Sequence, residues 1–236
     1  MNRSFRMNSL GQGYRALVIG ASGALGASFC ELLNDDPGCS VVRELGRNSA
    51  PGLDLEKPDT IASAAAELAQ EAPYQLILHA AGLLHREDIK PEKSYTSMEA
   101  DALQAIFQVN TLGPALVLRH FLPLLDRNGA MAVLSAKVGS IGDNRLGGWY
   151  AYRASKAALN MLIKTAAIEL ARTRPQTRLF SLHPGTVISG LSKPFKGASA
   201  ARPASLAARE LLSLIDRLAP ADSGHFFAYN GERLPW

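Results

Sequence analysis

Residues 16–26 read ALVIGASGALG, and this stretch decides the fold. The apolar run 16–19 predicts a buried β-strand, and the apolar residues after Gly26 predict a helix through Leu33. Glycines between a strand and a helix let backbone N–H groups approach a pyrophosphate, and the helix N-terminus adds partial positive charge. Because the spacing is GxxGxxG and not GxGxxG, an ordinary tight turn between core elements is the alternative interpretation.

Strand-like and helix-like segments alternate outward from this stretch. Further strands are predicted at 40–45, 75–79, 130–135, 178–183 and 225–229, and further helices at 60–70, 97–110, 114–125, 149–172 and 202–218. Such alternation predicts parallel strands joined by right-handed crossovers, with helices on both faces. The predicted fold is therefore α/β, a Rossmann-like doubly wound sheet of about seven strands with its ligand site at the carboxyl edge.

The length and charge of the chain restrict its organisation. A chain of 236 residues can bury one substantial core but has no room for a second full-sized domain beside a complete dinucleotide fold. We interpret residues 1–14 as a flexible N-terminal tail and residues 15–236 as one dinucleotide-binding catalytic domain. The net charge of +4 comes from dispersed Lys and Arg with no basic block, which argues against nucleic-acid binding.

The cysteines and the hydropathy pattern bear on the compartment. Cys30 and Cys39 fit neither a disulfide framework nor a metal pattern, and no set of His, Cys or carboxylates has metal spacing, so no metal is expected. No apolar stretch is long enough to span a bilayer, and residues 1–13 lack the apolar core of a secretory signal. These features together predict a protein of the reducing cytoplasm that does not bind membranes.

Tyr152 and Lys156 lie four residues apart in a predicted helix, and therefore on one helix face. A phenol has a pKa of about 10, but a cation held nearby favours the phenolate and moves that pKa toward working pH. The spacing therefore predicts a general acid or base, Tyr152, assisted by Lys156. Since both residue types are common in helices, an ordinary surface pair is the alternative when the motif is taken alone.

The end of the second predicted strand bears on the choice of cofactor. A carboxylate about 20 residues past the glycine turn suits the ribose 2′-hydroxyl of NAD, whereas arginine accommodates the 2′-phosphate of NADP. Arg47 occupies this region, with Arg43 adding positive charge nearby. NADP(H) is the favoured cofactor, and the competing acid Glu44 leaves NAD(H) open.

Taken together, these residues resemble the short-chain dehydrogenase/reductase superfamily over nearly the whole chain. The matching positions, in chain order, are the glycine turn 20–26, Asp54, the motif His79-Ala80-Ala81-Gly82, Asn110, Tyr152, Lys156, Pro184-Gly185 and Ser189. The segments GSIGDN at 139–144, GGWY at 147–150 and YNGERLPW at 229–236 resemble the branch that contains C-factor-like proteins and small carbonyl reductases.

The resemblance implies hydride transfer between a nicotinamide and a carbonyl or alcohol. It implies that Tyr152 protonates the carbonyl oxygen, that Lys156 bonds the nicotinamide ribose and lowers the tyrosine pKa, and that Asn110 holds a proton-relaying water. The subunits are expected to form a homodimer or homotetramer. The expected cofactor-binding residues are Gly20, Ser22, Gly23, Leu25, Gly26, Arg47, Asp54, Leu55, Ala80, Ala81, Gly82, Asn110, Tyr152, Lys156, Pro184, Gly185, Val187 and Ser189.

The chain departs from the family pattern at two positions. Ala136 stands where the family has a serine that helps to hold the substrate oxygen, and a methyl group cannot supply that hydrogen bond. Ser140 is the preferred substitute, because Ser135 should point to the other face of its strand. Lys137 is a further candidate for contacting the ligand. His79 replaces a family asparagine, and we interpret it as a satisfied core histidine.

The predicted flap gives the sequence's main indication of the substrate, and two alternatives to a carbonyl reductase stay open. The segment 186–203 is predicted to form a flap over the site, with Phe195, Trp149 and Leu146 as an apolar lining for an aromatic or aliphatic carbonyl. A sensor or signalling protein that binds NADP(H) with weak or no turnover is the main alternative, motivated by Ala136. An extended-type sugar-nucleotide epimerase or dehydratase ranks third, because only about 80 residues follow Lys156.

Overall fold

Six parallel strands form one sheet in the computed structural model, which describes residues 5–195 and 201–236. The strands are β1 (Tyr14–Ile19), β2 (Cys39–Leu45), β3 (Tyr74–His79), β4 (Leu125–Leu134), β5 (Arg178–His183) and β6 (Phe226–Ala228). The helices are α1 (Ala24–Asn34), α2 (Pro58–Leu68), α3 (Ala100–Phe107), α4 (Gly113–Phe121), α5 (Tyr150–Thr173) and α6 (Ala204–Arg217). The predicted α/β class and the parallel sheet are confirmed.

Both faces of the sheet are buried, which explains the continuous apolar runs of its strands. On one face, alternate strand residues such as Val18 and Leu78 pack with α1 and α6. On the other, Leu17 and Ile77 belong to a core that includes residues of α2, α4 and α5. The helices are therefore held in place by the same side chains that build the sheet.

The strand order β2-β1-β3-β4-β5-β6 places a topological switch point between β1 and β3. The chain runs from β1 to β2 on one side and then crosses to β3 on the other, so the connections after β1 and β3 diverge. A crevice forms at the carboxyl ends of two such strands, and ligands of open α/β sheets bind there. Gly20 follows β1 and Ala80 follows β3, which puts two predicted motifs at this crevice.

The sheet contains six strands within the described residues, where the sequence predicts about seven. Beyond β2, residues 46–57 form a turn whose polar groups pair with one another. The Ser49 hydroxyl accepts from the Gly46 N–H at 2.9 Å and donates to the Pro51 carbonyl at 2.6 Å, and the Leu53 N–H donates to the Gly46 carbonyl. Pro51 also has no N–H for a ladder, so this segment adds no outer strand to β2.

The segment 5–13 is anchored to the fold at Phe5, Met7 and Ser9, although the sequence predicts a loose tail up to residue 14. Phe5 and Met7 are buried in the core under α1 and α6. The Met7 N–H donates to Asp36 at 2.8 Å, and the Ser9 N–H donates to Asp216 on α6 at 2.7 Å. Apolar side chains at positions 5 and 7 explain why this segment joins the fold, and residues 1–4 lie outside the described residues.

The C-terminal segment folds back over the last strand. The Trp236 ring stacks on Phe226 with centroids 5.8 Å apart, and the Leu234 N–H donates to the Phe226 carbonyl. The Trp236 carbonyl accepts a hydrogen bond from the Gly142 N–H at 2.9 Å. The tail therefore covers the sheet edge at β6 and touches the loop that follows β4. Among the helices of the described ranges, none is long and apolar enough to cross a membrane.

Candidate active site

The glycine turn lies against the end of β3 and leaves no room for side chains. Gly20 has a left-handed φ of 86°, and a Cβ there would lie 2.7 Å from the Ala81 nitrogen. A Cβ at Gly26 would overlap the Gly20 carbonyl, whereas one at Gly23 would make an ordinary contact. Two of the glycines are therefore required by the close approach of β1, α1 and β3, and the N-terminus of α1 opens at the sheet edge.

Two neighbouring cavities lie along this edge. One, of about 470 Å³, which we name the turn cavity, includes the predicted positions Gly20, Ser22, Gly23, Arg47, Asp54, Leu55, Ala80, Ala81 and Gly82 in its lining. The other, of about 690 Å³, which we name the tyrosine cavity, includes Gly23, Leu25, Ala80, Ala81, Gly82, Tyr152, Lys156, Pro184, Gly185, Val187 and Ser189. Since Gly23 and residues 80–82 border both, the two cavities adjoin across the carboxyl ends of β1 and β3.

The predicted cofactor residues are therefore brought together, with two exceptions. Gly26 lines neither cavity, because its backbone is packed under the Gly20 carbonyl. Asn110 also lines neither and is fully buried. Gly26 thus shapes the turn, and Asn110 contacts the lining of the turn cavity through its hydrogen bonds with Leu83.

The charges at the turn cavity differ between the two candidate arginines. Arg47 lines the cavity and forms no ion pair within residues 5–195 and 201–236. Arg43 instead pairs with Glu71 at 2.6 Å and lies outside the lining. Glu44, the competing acid, is also outside the lining. Arg47 is therefore the candidate cation at this end of the site.

Tyr152 and Lys156 lie on the first two turns of α5, and both side chains are buried beside the tyrosine cavity. The Lys156 Nζ lies 5.9 Å from the centroid of the Tyr152 ring and donates to the Leu134 carbonyl at 3.0 Å. The predicted i, i+4 pairing on one helix face is present. The two side chains can therefore act on the same ligand.

Burial affects the pKa of both side chains. It raises the pKa of Tyr152 above its ordinary value, because the phenolate loses water, and this effect opposes the lowering expected from the ammonium. Burial also lowers the pKa of Lys156 to about 8, because the ammonium loses water as well. At neutral pH the phenol is therefore a protonated donor, and the lysine is mostly charged.

The start of α5 is fixed by a buried carboxylate. Glu92 accepts the Ala151 N–H at 3.3 Å through its side chain and the Trp149 N–H through its carbonyl. A negative charge at a helix N-terminus is favourable, because the first N–H groups there have no partner in the helix. Trp149 takes a left-handed φ of 54° at this N-cap, after Gly147 and Gly148 in the same region. The first turn of α5, which carries Tyr152, is thereby held beside the tyrosine cavity.

Asn110 lies in a π-helical turn, residues 108–112, between α3 and α4. Its Oδ1 accepts the Leu83 N–H at 2.8 Å, and its Nδ2 donates to the Leu83 carbonyl at 2.7 Å and to the Ser155 hydroxyl at 3.1 Å. A Cβ on Gly82 would lie 3.3 Å from Asn110 Oδ1 and 3.4 Å from Lys156 Nζ, so all three meet. Both the oxygen and the nitrogen of the Asn110 side-chain amide already have hydrogen-bond partners. A proton-relaying water near Asn110 would therefore have to bond to other atoms of the π-helical turn.

The predicted substitute for the missing serine lies away from the cavity. The Ser140 hydroxyl accepts the Asp143 N–H at 3.1 Å, and Ser140 is not among the residues that line the tyrosine cavity. Ala136, Lys137 and Ser135 do line it. The Ser135 hydroxyl is buried without a partner among the described residues. The geometry therefore does not favour Ser140 for the role predicted for it.

His79 is buried as predicted, but it is not satisfied by hydrogen bonds. Neither ring nitrogen has a partner within the described ranges. Burial, with a smaller contribution from the Lys156 charge, lowers the pKa of His79 to about 3, so the ring is neutral. Thus the residue that replaces the family asparagine is a neutral core histidine next to the lysine.

The described part of the predicted flap covers the tyrosine cavity through aromatic contacts. The Phe195 ring lies 5.0 Å from Trp149 and 5.5 Å from His85, and Trp149 in turn lies 6.2 Å from Tyr152. His85 Nε2 is 3.2 Å from the carbonyls of both Gly190 and Leu191. Trp149 and Phe195 line the cavity as predicted, while Leu146 is 91% exposed and lies outside it. Residues 196–200 of the flap lie outside the described residues.

Sequence reasoning missed His85 and His183. His85 lines the turn cavity, and His183 lines the tyrosine cavity at the end of β5. A polar residue directly before Pro184-Gly185, at the carboxyl end of a predicted strand, was the available signal for His183. No group of three or more metal-ligating side chains occurs within the described segments.

Comparisons with known proteins agree with this geometry. The family model described as enoyl-(acyl carrier protein) reductase matches residues 30–223. A 1-hydroxy-2-glutathionyl-2-methyl-3-butene dehydrogenase of Rhodococcus is 30% identical over 230 residues, which cover 93% of this chain and 98% of that protein. The C-signal protein of Myxococcus xanthus is 41% identical over 133 residues, and this match covers 55% of the present chain and 76% of the C-signal protein.

Solved structures share the fold across nearly the whole chain. A short-chain dehydrogenase/reductase of Burkholderia multivorans with bound NADP is 25% identical, with a TM-score of 0.78, and the match covers 95% of this chain and 100% of that one. An NADPH-bound carbonyl reductase from chicken fatty liver has a TM-score of 0.82 at 21% identity, with the same coverage. At that lower identity the likeness concerns the fold alone.

Proposed function

The chain belongs to the short-chain dehydrogenase/reductase superfamily of oxidoreductases, and on that premise we propose that it is an NADP(H)-dependent carbonyl reductase. One observation carries the proposal. Tyr152 and Lys156 lie buried side by side in a cavity that shares Gly23 and residues 80–82 with the cavity of the glycine turn. A proton donor therefore lies directly next to a site shaped for a dinucleotide.

The residues at the turn fit a dinucleotide. The close approach at Gly20 and Gly26 leaves a surface without side chains, and the N-terminus of α1 supplies N–H groups for a pyrophosphate. Asp54 and Leu55 border the same cavity and would contact the adenine. When bound, the nicotinamide supplies the hydride that a carbonyl reduction needs.

The chain's own acid is Tyr152. Since burial raises its pKa, the phenol is protonated at neutral pH and can donate to a carbonyl oxygen. Lys156 would bond the ribose of the cofactor and compensate for the negative charge that develops on the phenol oxygen. Pro184, Val187 and Ser189 would border the nicotinamide end, because they line the tyrosine cavity.

Arg47 supports NADP(H) as the preferred cofactor, with NAD(H) as the weaker alternative. A guanidinium fork matches a 2′-phosphate, and Arg47 lies at the turn cavity without an ion pair among the described residues. The similar Burkholderia structure carries bound NADP, which is consistent with this preference.

The lining of the tyrosine cavity favours a substrate with an apolar body. Trp149, Phe195 and Val138 face the space beside Tyr152. An aromatic or aliphatic ketone or aldehyde fits such walls, and the Rhodococcus relative is a dehydrogenase of an alcohol, a hydroxy-methylbutene that also carries a glutathionyl group. We further propose a homodimer or homotetramer and a cytoplasmic location.

A second candidate function rests on Ala136. Loss of one preorganised donor can lower a rate by about 10²-fold or more, so NADP(H) binding with weak turnover would produce a sensor or signalling protein. The similarity to the C-signal protein over 133 residues favours keeping this candidate.

One experiment separates the two. We expect NADPH to bind by fluorescence titration and a panel of ketones and aldehydes to be reduced, with Tyr152→Phe losing about 10²-fold or more in kcat at unchanged NADPH affinity. Tyr150→Phe, two residues earlier on the same helix and outside both cavities, is the matched control and should keep its rate. NADPH binding without turnover above the level of Tyr152→Phe would establish the sensor instead.

A further inference from the structure

His183 is a cavity residue with no role in the proposal above. It ends β5, and its backbone is held by the sheet, since its carbonyl accepts the Tyr229 N–H at 2.9 Å. His183 lines the tyrosine cavity together with Tyr152. The ring Nδ1 is buried and has no hydrogen-bond partner among the described residues. A buried polar atom without a partner calls for a ligand or water to satisfy it.

Position 136, where alanine replaces the serine of the family, lies near His183. The Ser135 N–H donates to the Leu182 carbonyl at 2.8 Å, which ties the residue before Ala136 to the residue before His183. The register of β4 and β5 ends with Leu134 opposite Leu182, so His183 lies opposite Ser135, one residue before Ala136, and all three of Ser135, Ala136 and His183 line the tyrosine cavity. An imidazole at position 183 is thus in the vicinity where a hydroxyl at position 136 would stand.

The other polar groups nearby are less suitable. The Ser140 hydroxyl is used by Asp143 and does not line the cavity. The Ser135 hydroxyl also lacks a partner among the described residues, but Ser135 is only 5% exposed, whereas His183 is half-buried and therefore more open to the cavity. Lys137 lines the cavity, but its ammonium lies 3.6 Å from the Asp143 carboxylate, which partly neutralises it.

The protonation of the ring suits a hydrogen-bond donor that keeps its proton. Burial, and then the nearby positive charge of Lys137, lower the pKa of His183 to about 4. At neutral pH the imidazole is therefore uncharged, with one N–H donor and one lone pair. Such a group can stabilise negative charge on an oxygen without competing with Tyr152 as the acid.

We propose that His183 donates to the substrate carbonyl oxygen the hydrogen bond that a serine at position 136 would otherwise supply. This inference rests on the proposed carbonyl reduction. It makes His183 a catalytic residue and explains how the chain tolerates Ala136. The substrate oxygen would lie between the Tyr152 hydroxyl and the His183 ring.

The test is a double-mutant cycle with NADPH and the best ketone of the panel. His183→Phe keeps an aromatic ring but removes the donor, and kcat/KM should fall about 10²-fold, the usual loss for one oxyanion donor. His183→Gln restores a neutral donor and should recover most of that loss. Ala136→Ser should raise the rate of the His183→Phe protein at least tenfold but change the wild type less than threefold. His120→Phe, on α4 and outside both cavities, controls for the ring substitution.

Two readouts do not depend on turnover. NADPH affinity by fluorescence should be the same in all variants, which shows that the fold and the cofactor site persist. In protein labelled with nitrogen-15 histidine, an alcohol product added to the NADP⁺ complex should shift the His183 ring resonance, and it should leave that of His120 unchanged.

Three outcomes decide the matter. Wild-type turnover that survives His183→Phe overturns the role of His183 but leaves the carbonyl reductase intact. Equal gains from Ala136→Ser in both backgrounds also overturn it, because the two groups would then act independently. Absence of wild-type turnover with every carbonyl overturns the proposed function and this inference together.

Discussion

Lys156 shows how a single residue can be needed for function and costly for folding. Its ammonium is buried, and the pKa of about 8 reports that the folded protein disfavours the charged form. Its hydrogen bond to the Leu134 carbonyl recovers part of that cost. Buried charges of this kind are retained at functional sites, where stability is given up for chemistry.

Lys156→Met should therefore stabilise the ligand-free protein at pH 7, by about 3 kcal/mol, while abolishing turnover. Below pH 8 both folded and unfolded states bind the lysine proton, and the burial cost is fully present. Between pH 8 and the ordinary value of 10.5 the unfolded state binds more protons, so wild-type stability rises with pH and its gap to the variant closes. Urea unfolding at several pH values measures this gap, with the exposed Lys93→Met as control. A wild type more stable than Lys156→Met at pH 7 would contradict the expectation.

Arg47 should determine cofactor preference. Arg47→Ala removes a charge-assisted contact to a 2′-phosphate, worth about 1.5–3 kcal/mol, so the ratio of NADPH to NADH affinity should fall at least tenfold. Fluorescence titration with both nucleotides measures it. Arg43→Ala, whose guanidinium is paired with Glu71, is the matched control and should leave the ratio unchanged. A larger effect of Arg43→Ala than of Arg47→Ala would contradict this prediction, because Arg43 would then be the arginine that contacts the 2′-phosphate.

At the scale of elements, the glycine turn is the joint between β1, α1 and β3. Gly26→Ala places a methyl group on the Gly20 carbonyl, so the turn must open. We expect a loss of about 3 kcal/mol in stability and weaker NADPH binding. Gly23→Ala is the matched control, because its Cβ would only touch Gly20 at 3.4 Å. Thermal and urea unfolding measure the stability of the two variants. A Gly26→Ala protein as stable as the wild type would contradict the expectation, because the turn would then accommodate the methyl group.

The elements themselves were largely predictable. Strand runs such as 16–19 and 75–79 were found within one or two residues, because their apolar burial is local in sequence. The helix predicted at 97–110 is instead the shorter α3 followed by a π-helical turn. That turn exists because Asn110 is bonded to Leu83, a contact between distant segments that periodicity does not encode.

The site was predictable where a motif is short and linear. The spacing of Tyr152 with Lys156, and of the glycine turn, predicted candidates, and the resemblance of the whole chain to the short-chain dehydrogenase/reductase superfamily favoured them over a surface pair and an ordinary turn. The position of His183 opposite Ser135, one residue before Ala136, could not be predicted from spacing, because it depends on the register of β4 against β5. The burial of Tyr152, which raises its pKa, could not be predicted for the same reason, since burial is a property of the folded molecule.

At the scale of the whole molecule, α5 has an apolar outer side. Met161 and Ile168 are exposed and lie seven residues apart, hence on one side of the helix. We expect this side to form a subunit contact in a homodimer or homotetramer. Met161→Glu with Ile168→Glu should lower the mass measured by light scattering toward that of one chain. Leu206→Glu, an exposed apolar position on α6, is the control that should keep the assembly. An unchanged mass for the double variant would place the contact elsewhere.

The contact of Trp149 with Phe195 also provides an optical signal. The chain has two tryptophans, and Trp236 stacks on Phe226 at the far edge of the sheet. A Trp236→Phe protein would emit from Trp149 alone, 5.0 Å from the flap and 6.2 Å from Tyr152. Its emission wavelength and quenching would then report any change in the contact with Phe195 and the binding of a ligand in the tyrosine cavity in real time, without any added dye.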